Sequence, residues 1–447
     1  MKKSLLCILA ALLFCSPKAP AAGFNDNFDG GTLRLDLILA GDCRCQSVYL
    51  QDICRTSEWA GRRTHLDSLL AKGNAQVEVY SKAGELIYAQ AFSTLFQEWL
   101  TTEEATRRSR AFECPVLIPS PREAVKVRIN LNDHHRRSVA STEFEIDPSD
   151  ILIRKMVGNG LHCRDLRSGG ALESNYDIVI VAEGYTEAEQ EKFFGDAGRL
   201  TDFLFSHAPF TENEGRFNVR AVFAPSQDSG TSQPSEAQIG WLSTAARSHF
   251  DTFYSYRYLT TSSLRAVNDI IGTVPFEQII LLVNSPRYGG GGIFNSITLS
   301  TADHPFSPVV FVHEFGHSFA GLADEYDYGE EVDPTYPDGT EPWEPNITTL
   351  VDFGSKWQDM LPEGVQIPSE LCSLEKNYDL RRIWDTLSDK QKTEINSKLG
   401  VYEGAGYRTS GVYRPVQECR MRINECEHFC PVCTRAIQNM IDYCTGR

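Results

Sequence analysis

The chain has 447 residues and a formal charge of −17, and hydrophobic residues make up 41% of it. This length is enough to bury two or three sizeable cores. The acidic excess excludes a net electrostatic attraction to nucleic acid or to an anionic membrane surface. We therefore expect a soluble monomer that takes no nucleic-acid partner.

The first 22 residues have the order of a removable export signal. Two lysines precede an apolar run over residues 5–14, which is too short for a bilayer that needs about 20 apolar residues. Residues 19–21 supply an A-x-A cleavage pattern, and no later stretch reaches transmembrane length. We expect secretion or periplasmic residence. A lipid-anchored surface form would use Cys15, but Phe14 stands where that form needs a small residue.

Short alternating segments dominate residues 23–150. Polar and apolar residues alternate over 32–37, 76–80 and 125–129, with glycine and proline signals between them. Alternation with a period of two predicts half-buried strands, and short strands at this spacing favour a β-sandwich. We predict a β-sandwich-like N-terminal domain over residues 23–150, without a catalytic constellation.

An α/β rhythm begins after residue 150 and predicts a second domain over residues 151–447. Residues 177–182 form a continuous apolar run, which is typical of a buried central strand. Thr186 follows as the N-cap of a helix that continues to Phe194. Further strands are predicted at residues 218–223 and 278–283, and a further helix is predicted at residues 245–259.

The most informative segment is His313-Glu314-Phe315-Gly316-His317. Ser307 can cap a helix whose first position is Pro308, where no amide donor is needed. Positions four apart share a helix face, so His313 and His317 can present two imidazoles to one zinc ion. Glu314 can then act as general base on a zinc-activated water. Apolar residues flank the motif, and burying these polar groups without a metal would be costly.

The third zinc ligand is predicted from the residues that follow this helix. Gly321 can end the helix and turn the chain back toward the ion. The segment is similar to the metzincin pattern H-E-x-x-H-x-x-G-x-x-H, but its glycine and its third ligand each come one residue late. We predict Asp324 because it keeps the three-residue step from Gly321. Glu325 is the main alternative, and a ligand from a later helix would be Glu330 or Glu331.

The same residues carry a resemblance to a known family. Residues 313–326 resemble the active-site segment of the bacterial IgA-peptidase family of metallopeptidases, and further likenesses lie at 92–99, 183–186, 226–231 and 429–433. The resemblance implies an α/β, metzincin-like zinc peptidase domain preceded by the β-rich domain. It implies zinc held by His313, His317 and Asp324. It also implies that Met421 lies beneath the zinc ligands as an apolar floor.

Eleven cysteines remain after signal removal, and an oxidising compartment favours disulfides between them. The odd count leaves at least one thiol free or paired elsewhere. Five of them are close enough in sequence for local disulfides: Cys419, Cys426, Cys430, Cys433 and Cys444. A structural zinc site in this run, which could include His428, is the alternative.

Four consecutive glycines at residues 289–292 precede the predicted helix that carries the two histidines. A phosphate-binding loop is excluded, because no Lys-Ser/Thr pair follows the glycines. We predict a flexible rim beside an edge strand over residues 293–299, where an extended substrate can pair with the strand. A plain surface turn is the alternative. Tyr407 and Tyr413 are candidates for stabilising the oxyanion, or else packing residues.

These observations predict a secreted zinc endopeptidase that cleaves proteins or peptides outside the cytoplasm, with Glu314 as general base. Two alternatives remain open. One is a zinc hydrolase acting on another amide or glycan-linked substrate. The other is a surface module that binds protein or glycan and carries a vestigial metal site. The intact Glu314 argues against the module, since a degenerate site would lose this residue first.

Overall fold

The computed structural model describes residues 23–330, 335–371 and 383–446. The predicted export signal at residues 1–22 and the alternative ligand Glu331 lie outside these ranges. Within the ranges, no helix is both long and apolar enough to cross a membrane. The described strands form four sheets, which gives a mixed α/β architecture.

Two four-stranded sheets make up the N-terminal region. Their strands are β1 (Phe28–Gly41), β2 (Gln46–Thr56), β3 (Ala75–Tyr80), β4 (Leu86–Phe92), β5 (Arg110–Pro121), β6 (Val125–Asn132), β7 (Ser138–Ile146) and β8 (Arg154–Lys155). The orders are β5-β1-β2-β8 and β4-β3-β6-β7. Neighbours are antiparallel except β2 and β8. Alternate apolar residues of both sheets point into one shared core, as the alternation predicts.

A six-stranded sheet forms the centre of the second region. Its strands are β9 (His162–Ser168), β10 (Tyr176–Glu183), β11 (Phe217–Phe223), β12 (Gln278–Val283), β13 (Gly290–Ile293) and β14 (Ile297–Thr301). The order is β13-β14-β12-β10-β11-β9. The four inner strands are parallel, and the two edge strands β13 and β9 run antiparallel to their neighbours. The predicted strands at residues 177–182, 218–223 and 278–283 are confirmed.

The described ranges contain seven α-helices. They are α1 (Phe24–Asn27), α2 (Leu95–Trp99), α3 (Gln190–Phe205), α4 (Leu264–Ile271), α5 (Ser307–Ala320), α6 (Asp389–Ser397) and α7 (Pro431–Thr445). Thr186 caps the chain here as predicted, but it opens a 3-10 turn and forms a capping box with Glu189. Helix α3 follows from Gln190 and continues past the predicted end at Phe194. A small sheet of order β15-β17-β16 completes the fold: β15 (Asp327–Glu330), β16 (Tyr402–Ala405) and β17 (Tyr407–Arg414).

The two faces of strand β10 belong to two different cores. Ile178 and Ile180 pack with the buried faces of α3, α5 and α7. Val179 and Val181 face the other side, where they join α4 and the core of the N-terminal sheets. Successive strand residues point to opposite faces, so a wholly apolar strand serves both cores. Helix α5 is thus fixed on one face of the sheet while the N-terminal region supports the other.

The predicted helix over residues 245–259 is wrong. The segment is irregular apart from a 3-10 turn at Thr252–Tyr254. The buried carboxylate of Glu183 accepts hydrogen bonds from the backbone amides of Ala246 and Ser248, at 2.6 and 2.7 Å. These amides are therefore satisfied by a side chain instead of a helix ladder. The predicted edge strand over 293–299 is also wrong, because a turn divides the segment between β13 and β14.

The described cysteines do not form the disulfides that the sequence predicts. Ten of them lie in the described ranges, and all ten carry free thiols. The disulfides expected for an exported chain are therefore not found in this part of the molecule. Four of the five C-terminal cysteines are buried, and Cys444 is partly exposed.

Candidate metal centre

Helix α5 carries the two histidines on a face that remains open to solvent. The helix packs on strands β13 and β14 and against α3 and α7, which buries its apolar residues Val310, Phe311, Phe315 and Phe319. His313 and His317 are one turn apart, and their side chains keep 14% and 15% exposure. Ser307 is the first residue of the helix and not its cap, and Pro308 follows at a position that needs no amide donor.

Gly321 ends this helix and turns the chain back toward the histidines. Its φ of +64° lies in the left-handed region, and its amide donates to the carbonyl oxygen of His317 at 3.0 Å. A Cβ at this position would also collide with the indole of Trp343. Two separate reasons thus require glycine at position 321. The turn brings Asp324 beside His313 and His317.

The three side chains form a tight triangle, which we name the histidine centre: His313, His317 and Asp324. The two Nε2 atoms are 3.0 Å apart, and Asp324 Oδ1 lies 3.1 Å from His313 Nε2 and 3.3 Å from His317 Nε2. A tetrahedral zinc ion with bonds of about 2.0–2.1 Å separates its ligand atoms by about 3.3 Å. The donor set therefore fits one zinc ion.

The outer nitrogens of both rings fix the tautomers. His313 Nδ1 lies 3.1 Å from the carbonyl oxygen of Arg420, and His317 Nδ1 lies 2.6 Å from that of Leu322. A carbonyl oxygen only accepts hydrogen bonds, so each Nδ1 must carry the proton. Each Nε2 then directs a lone pair into the triangle, which is the arrangement found for metal-binding histidines.

The buried carboxylate of Asp324 requires positive charge beside it. Asp324 is 5% exposed, and its Oδ1 has no hydrogen-bond partner within the described residues. Burial opposes ionisation of Asp324, yet His317 and His313 hold the pKa of its carboxyl well below the usual range. Burial likewise disfavours a charged His317, but the carboxylate of Asp324 raises the pKa of that imidazole to about 9. A bound metal ion would supply the same positive charge without protons.

The rival ligand Glu325 faces away from the histidine centre. It lies in a separate group of buried side chains, which we name the thiol cluster: Glu325, Cys419, Cys430 and Cys433. Its Oε1 lies 3.1 Å from Cys433 Sγ and accepts a hydrogen bond from Asn346 at 2.9 Å. Among the predicted ligands, the structure therefore brings Asp324, and not Glu325, to the two histidines.

Tyr407 fixes the orientation of Asp324. Its hydroxyl donates to Asp324 Oδ2 at 2.5 Å, and the backbone amide of Gly406 donates to the carbonyl oxygen of Asp324 at 3.0 Å. Burial and the neighbouring carboxylate raise the pKa of Tyr407 well above its usual value. Tyr413 lies elsewhere on β17, where burial and Glu403 raise its pKa. Of the two tyrosines considered from the sequence, Tyr407 contacts the histidine centre, through the carboxylate of Asp324.

Glu314 is partly exposed and lies against the glycine-rich edge strand β13. A Cβ on Gly290 would lie 2.7 Å from Cγ of Glu314, and a Cβ on Gly292 would collide with the carbonyl oxygen of Glu314. The glycines therefore let the strand approach the helix closely, and they are not a flexible rim. Burial raises the pKa of the Glu314 carboxyl, while His313 and His317 act against that rise. A raised pKa suits a proton-accepting carboxylate.

Met421 packs against helix α5 at Gly316, within the motif. The side chain is fully buried, and a Cβ on Gly316 would lie 3.0 Å from its sulfur. Gly316 is flanked on α5 by the two histidines of the motif. The carbonyl oxygen of Met421 also accepts a hydrogen bond from the amide of Glu325, at 2.9 Å. Met421 thus packs on the helix that carries both histidines, and its role as an apolar floor beneath the ligands stays a prediction.

Two residues near the centre escaped sequence reasoning. Glu98 of helix α2 accepts a hydrogen bond from the hydroxyl of Tyr258. Burial raises the pKa of Glu98 to about 7, and the charges of His317, Glu314 and Asp324 also act on it. The hydrogen bond joins the N-terminal region to Tyr258, whose ring lies against Gly291 of the edge strand β13. Spacing in the sequence could not predict this contact, because the two residues lie 160 positions apart. The one indication in the sequence was that Glu98 falls within residues 92–99, which resemble the peptidase family.

Comparison with known proteins follows this geometry. The family model described as IgA Peptidase M64 matches residues 165–441, which is more than half of the chain. The model described as Peptidase M64 N-terminus matches residues 23–142. A search of curated proteins found no match. The range at residues 23–142 contains strands β1 to β6, and the range at residues 165–441 contains strands β10 to β17.

Proposed function

The chain belongs to the IgA peptidase M64 family and is a metallopeptidase, a hydrolase of peptide bonds, and we propose that it is a zinc-dependent endopeptidase acting on proteins outside the cytoplasm. We propose His313, His317 and Asp324 as the zinc ligands. One observation carries this proposal: three ligand atoms stand 3.0–3.3 Å apart, and both histidines use Nδ1 on backbone carbonyls.

Zinc is favoured over other divalent ions by the donor set. Two imidazole nitrogens and one carboxylate oxygen suit a tetrahedral ion with a fourth position left for water or substrate. When bound, zinc would acidify that water and polarise the scissile carbonyl. The partial exposure of both histidines leaves room for the fourth position, as a catalytic site requires.

The chain's own residues would perform the proton transfers. Glu314 lies next to His313 in sequence and is partly exposed on the open side of the helix, so its carboxylate can take a proton from water. It would then deliver this proton to the leaving amine nitrogen. Tyr407 would hold the carboxylate of Asp324 in one orientation, which is the role that outer hydrogen bonds play at metal sites.

The surrounding architecture agrees with a metzincin-like peptidase domain. Met421 packs against the motif at Gly316, Gly321 makes the turn to the third ligand, and the antiparallel edge strand β13 lies along helix α5. We propose that this domain spans residues 151–447 and follows a β-sandwich-like domain at residues 23–150. We also propose that residues 1–22 direct export and are removed, which N-terminal sequencing of the exported protein would test.

The proposed mechanism is tested by Glu314→Gln. The variant keeps the histidine centre but has no carboxylate to accept a proton, so hydrolysis of an unfolded protein such as casein should be lost. Its zinc content, measured by elemental analysis, should equal that of the wild type. The matched control is Glu123→Gln, which alters an exposed carboxylate far from the site and should retain full activity. Peptidase activity that persists in Glu314→Gln would reject Glu314 as general base.

The same measurements separate the alternatives. A binding module with a vestigial site would hydrolyse neither proteins nor small amides, with or without added zinc. A zinc hydrolase of another amide would contain zinc but leave a proteome-derived peptide library intact. Cleavage of that library by the wild type, and its loss after chelation, is the outcome that the endopeptidase proposal requires.

A further inference from the structure

The thiol cluster adjoins the histidine centre in the chain, since Glu325 follows Asp324, and it takes no part in the mechanism above. Glu325, Cys419 and Cys433 are fully buried, as is Cys430. One ligand atom from each residue can be chosen so that all four lie within 4.8 Å of one another. Three thiols and a carboxylate at this spacing, without solvent, have the composition of a closed metal site.

The contacts inside the cluster leave a polar group unsatisfied. Cys419 Sγ and Cys433 Sγ are 3.9 Å apart, and Cys433 Sγ is 3.1 Å from Glu325 Oε1. The amide of Cys430 points at Cys419 Sγ at 3.2 Å. Glu325 Oε2 is buried and has no hydrogen-bond partner within the described part of the chain. A buried carboxylate oxygen without a partner is costly. The other oxygen of the same carboxylate, Oε1, faces the thiol of Cys433, and thiols bind soft or borderline cations.

The distances fit a tetrahedral ion better than a disulfide. Zinc–sulfur bonds of about 2.3 Å place two thiolate ligands about 3.8 Å apart, and the observed sulfur separation is 3.9 Å. A disulfide has a sulfur–sulfur bond of about 2.0 Å. Any disulfide within the cluster would also leave one buried thiol beside the buried carboxylate of Glu325.

We propose that Glu325, Cys419, Cys430 and Cys433 bind a second zinc ion, which is structural and separate from the ion of the histidine centre. Four protein ligands fill a tetrahedral shell, and full burial leaves no position for water or substrate. Binding releases the thiol protons to solvent, since thiolates are the ligands. His428 and Cys426, which the sequence placed in the same run, lie outside the cluster, and the side chain of His428 is 71% exposed.

The second ion would join three segments that build the histidine centre. Glu325 follows Asp324 in the chain, and its amide donates to the carbonyl oxygen of Met421. Cys419 precedes Arg420, whose carbonyl oxygen fixes the tautomer of His313. The other two cysteines open helix α7. This positioning role rests on the proposed function, whereas the existence of the second zinc site does not.

The first experiment counts zinc in the purified chain after export and signal removal. Elemental analysis should find two zinc ions per chain in the wild type and one in His317→Ala, which leaves the thiol cluster intact. The paired substitution Cys430→Ser and Cys433→Ser should remove the other ion. Cys426→Ser is the matched control, because Cys426 is buried nearby but lies outside the cluster, and it should retain both ions.

Cobalt substitution identifies the ligands of the second ion. Cobalt-loaded His317→Ala should keep the intense thiolate-to-metal charge-transfer absorption, and the paired cysteine variant should lose it. A wild type with one zinc ion that disappears in His317→Ala would overturn the proposal. A disulfide within the cluster would also overturn the proposal. It would lower the intact mass by two hydrogens and leave only one of the three cluster thiols open to alkylation after unfolding. Both tests use chains with intact cysteines, so they decide even if the cysteine variants do not fold.

Failure of the catalytic proposal would look different. If the histidine centre held no zinc, His317→Ala would leave the zinc content unchanged while the cysteine substitutions lowered it. If Glu314 were not the base, activity would survive in Glu314→Gln whatever the metal count. The two proposals can therefore fail separately.

Discussion

Asp324 and Glu325 are neighbours in the chain, yet they belong to two centres of opposite character. Asp324 faces two histidines that are partly exposed, and Glu325 faces three thiols that are fully buried. Nitrogen and oxygen ligands at an open surface leave a position for chemistry, whereas a sulfur-rich, closed shell serves structure. Both carboxylates are buried, but the backbone directs Asp324 to the partly exposed histidines and Glu325 to the buried thiols, so the two can take different roles.

The largest expected effect comes from changing the two carboxylates separately. Asp324→Asn should abolish peptidase activity and greatly weaken zinc binding at the histidine centre, because the amide supplies no negative charge. Glu325→Gln should lower activity by about 10–100-fold, the usual effect of groups that support metal ligands, and should lower the thermal midpoint.

Activity, zinc content and thermal unfolding of both variants test this contrast. Asp324→Asn should keep one zinc ion and the cobalt–thiolate absorption, since the thiol cluster is unchanged. Equal losses of activity in the two variants, with equal zinc contents, would show that the two carboxylates do not serve separate centres.

Chelation should separate the two centres by rate. The histidine centre is partly exposed, so a short incubation with a strong chelator should remove one zinc ion per chain and all activity. The thiol cluster is fully buried and should release its ion only when the chain unfolds. Activity should return when zinc is added. Simultaneous release of both ions, followed in time by elemental analysis after desalting, would contradict the difference in accessibility.

Tyr407→Phe tests the link between Asp324 and the small sheet. Loss of the hydroxyl removes the hydrogen bond to Asp324 Oδ2, and we expect zinc affinity and activity to fall by about 10–100-fold. Zinc affinity is measured by competition with a chromophoric chelator. Tyr413→Phe is the matched control on the same strand and should have little effect. A fall in kcat with unchanged zinc affinity would instead assign Tyr407 to the oxyanion.

The centre that follows local rules could be predicted from the sequence. His313 and His317 are one helical turn apart, so helix geometry groups them. Gly321 predicts a turn back to the histidines, but the sequence left Asp324 and Glu325 as alternatives after it. Strand β10 was also predictable, because its continuous apolar run matches burial on both faces.

Long-range contacts account for what could not be predicted. Glu325 meets Cys433 across 108 residues, and Glu98 meets Tyr258 across 160 residues. No spacing rule connects such positions. The predicted helix over residues 245–259 failed for the same reason, since the buried carboxylate of Glu183 takes its backbone amides. Tertiary hydrogen bonds override local propensity there.

The smallest expected effect comes from Gly292→Ala, which strains the histidine centre from the sheet side and leaves the thiol cluster untouched. The new Cβ would collide with the carbonyl oxygen of Glu314 and lie 2.9 Å from Cβ of His317. Overpacking of this kind costs about 1–3 kcal/mol in unfolding free energy, measured by denaturant titration. Gly195→Ala on helix α3 is the control, because its Cβ meets nothing within 4 Å and alanine favours a helix by about 0.5–1 kcal/mol. The cobalt–thiolate absorption should be identical in both variants. Unfolding of Gly292→Ala at the same denaturant concentration as the wild type would contradict this expectation. It would show that β13 does not pack closely enough on helix α5 to constrain His317.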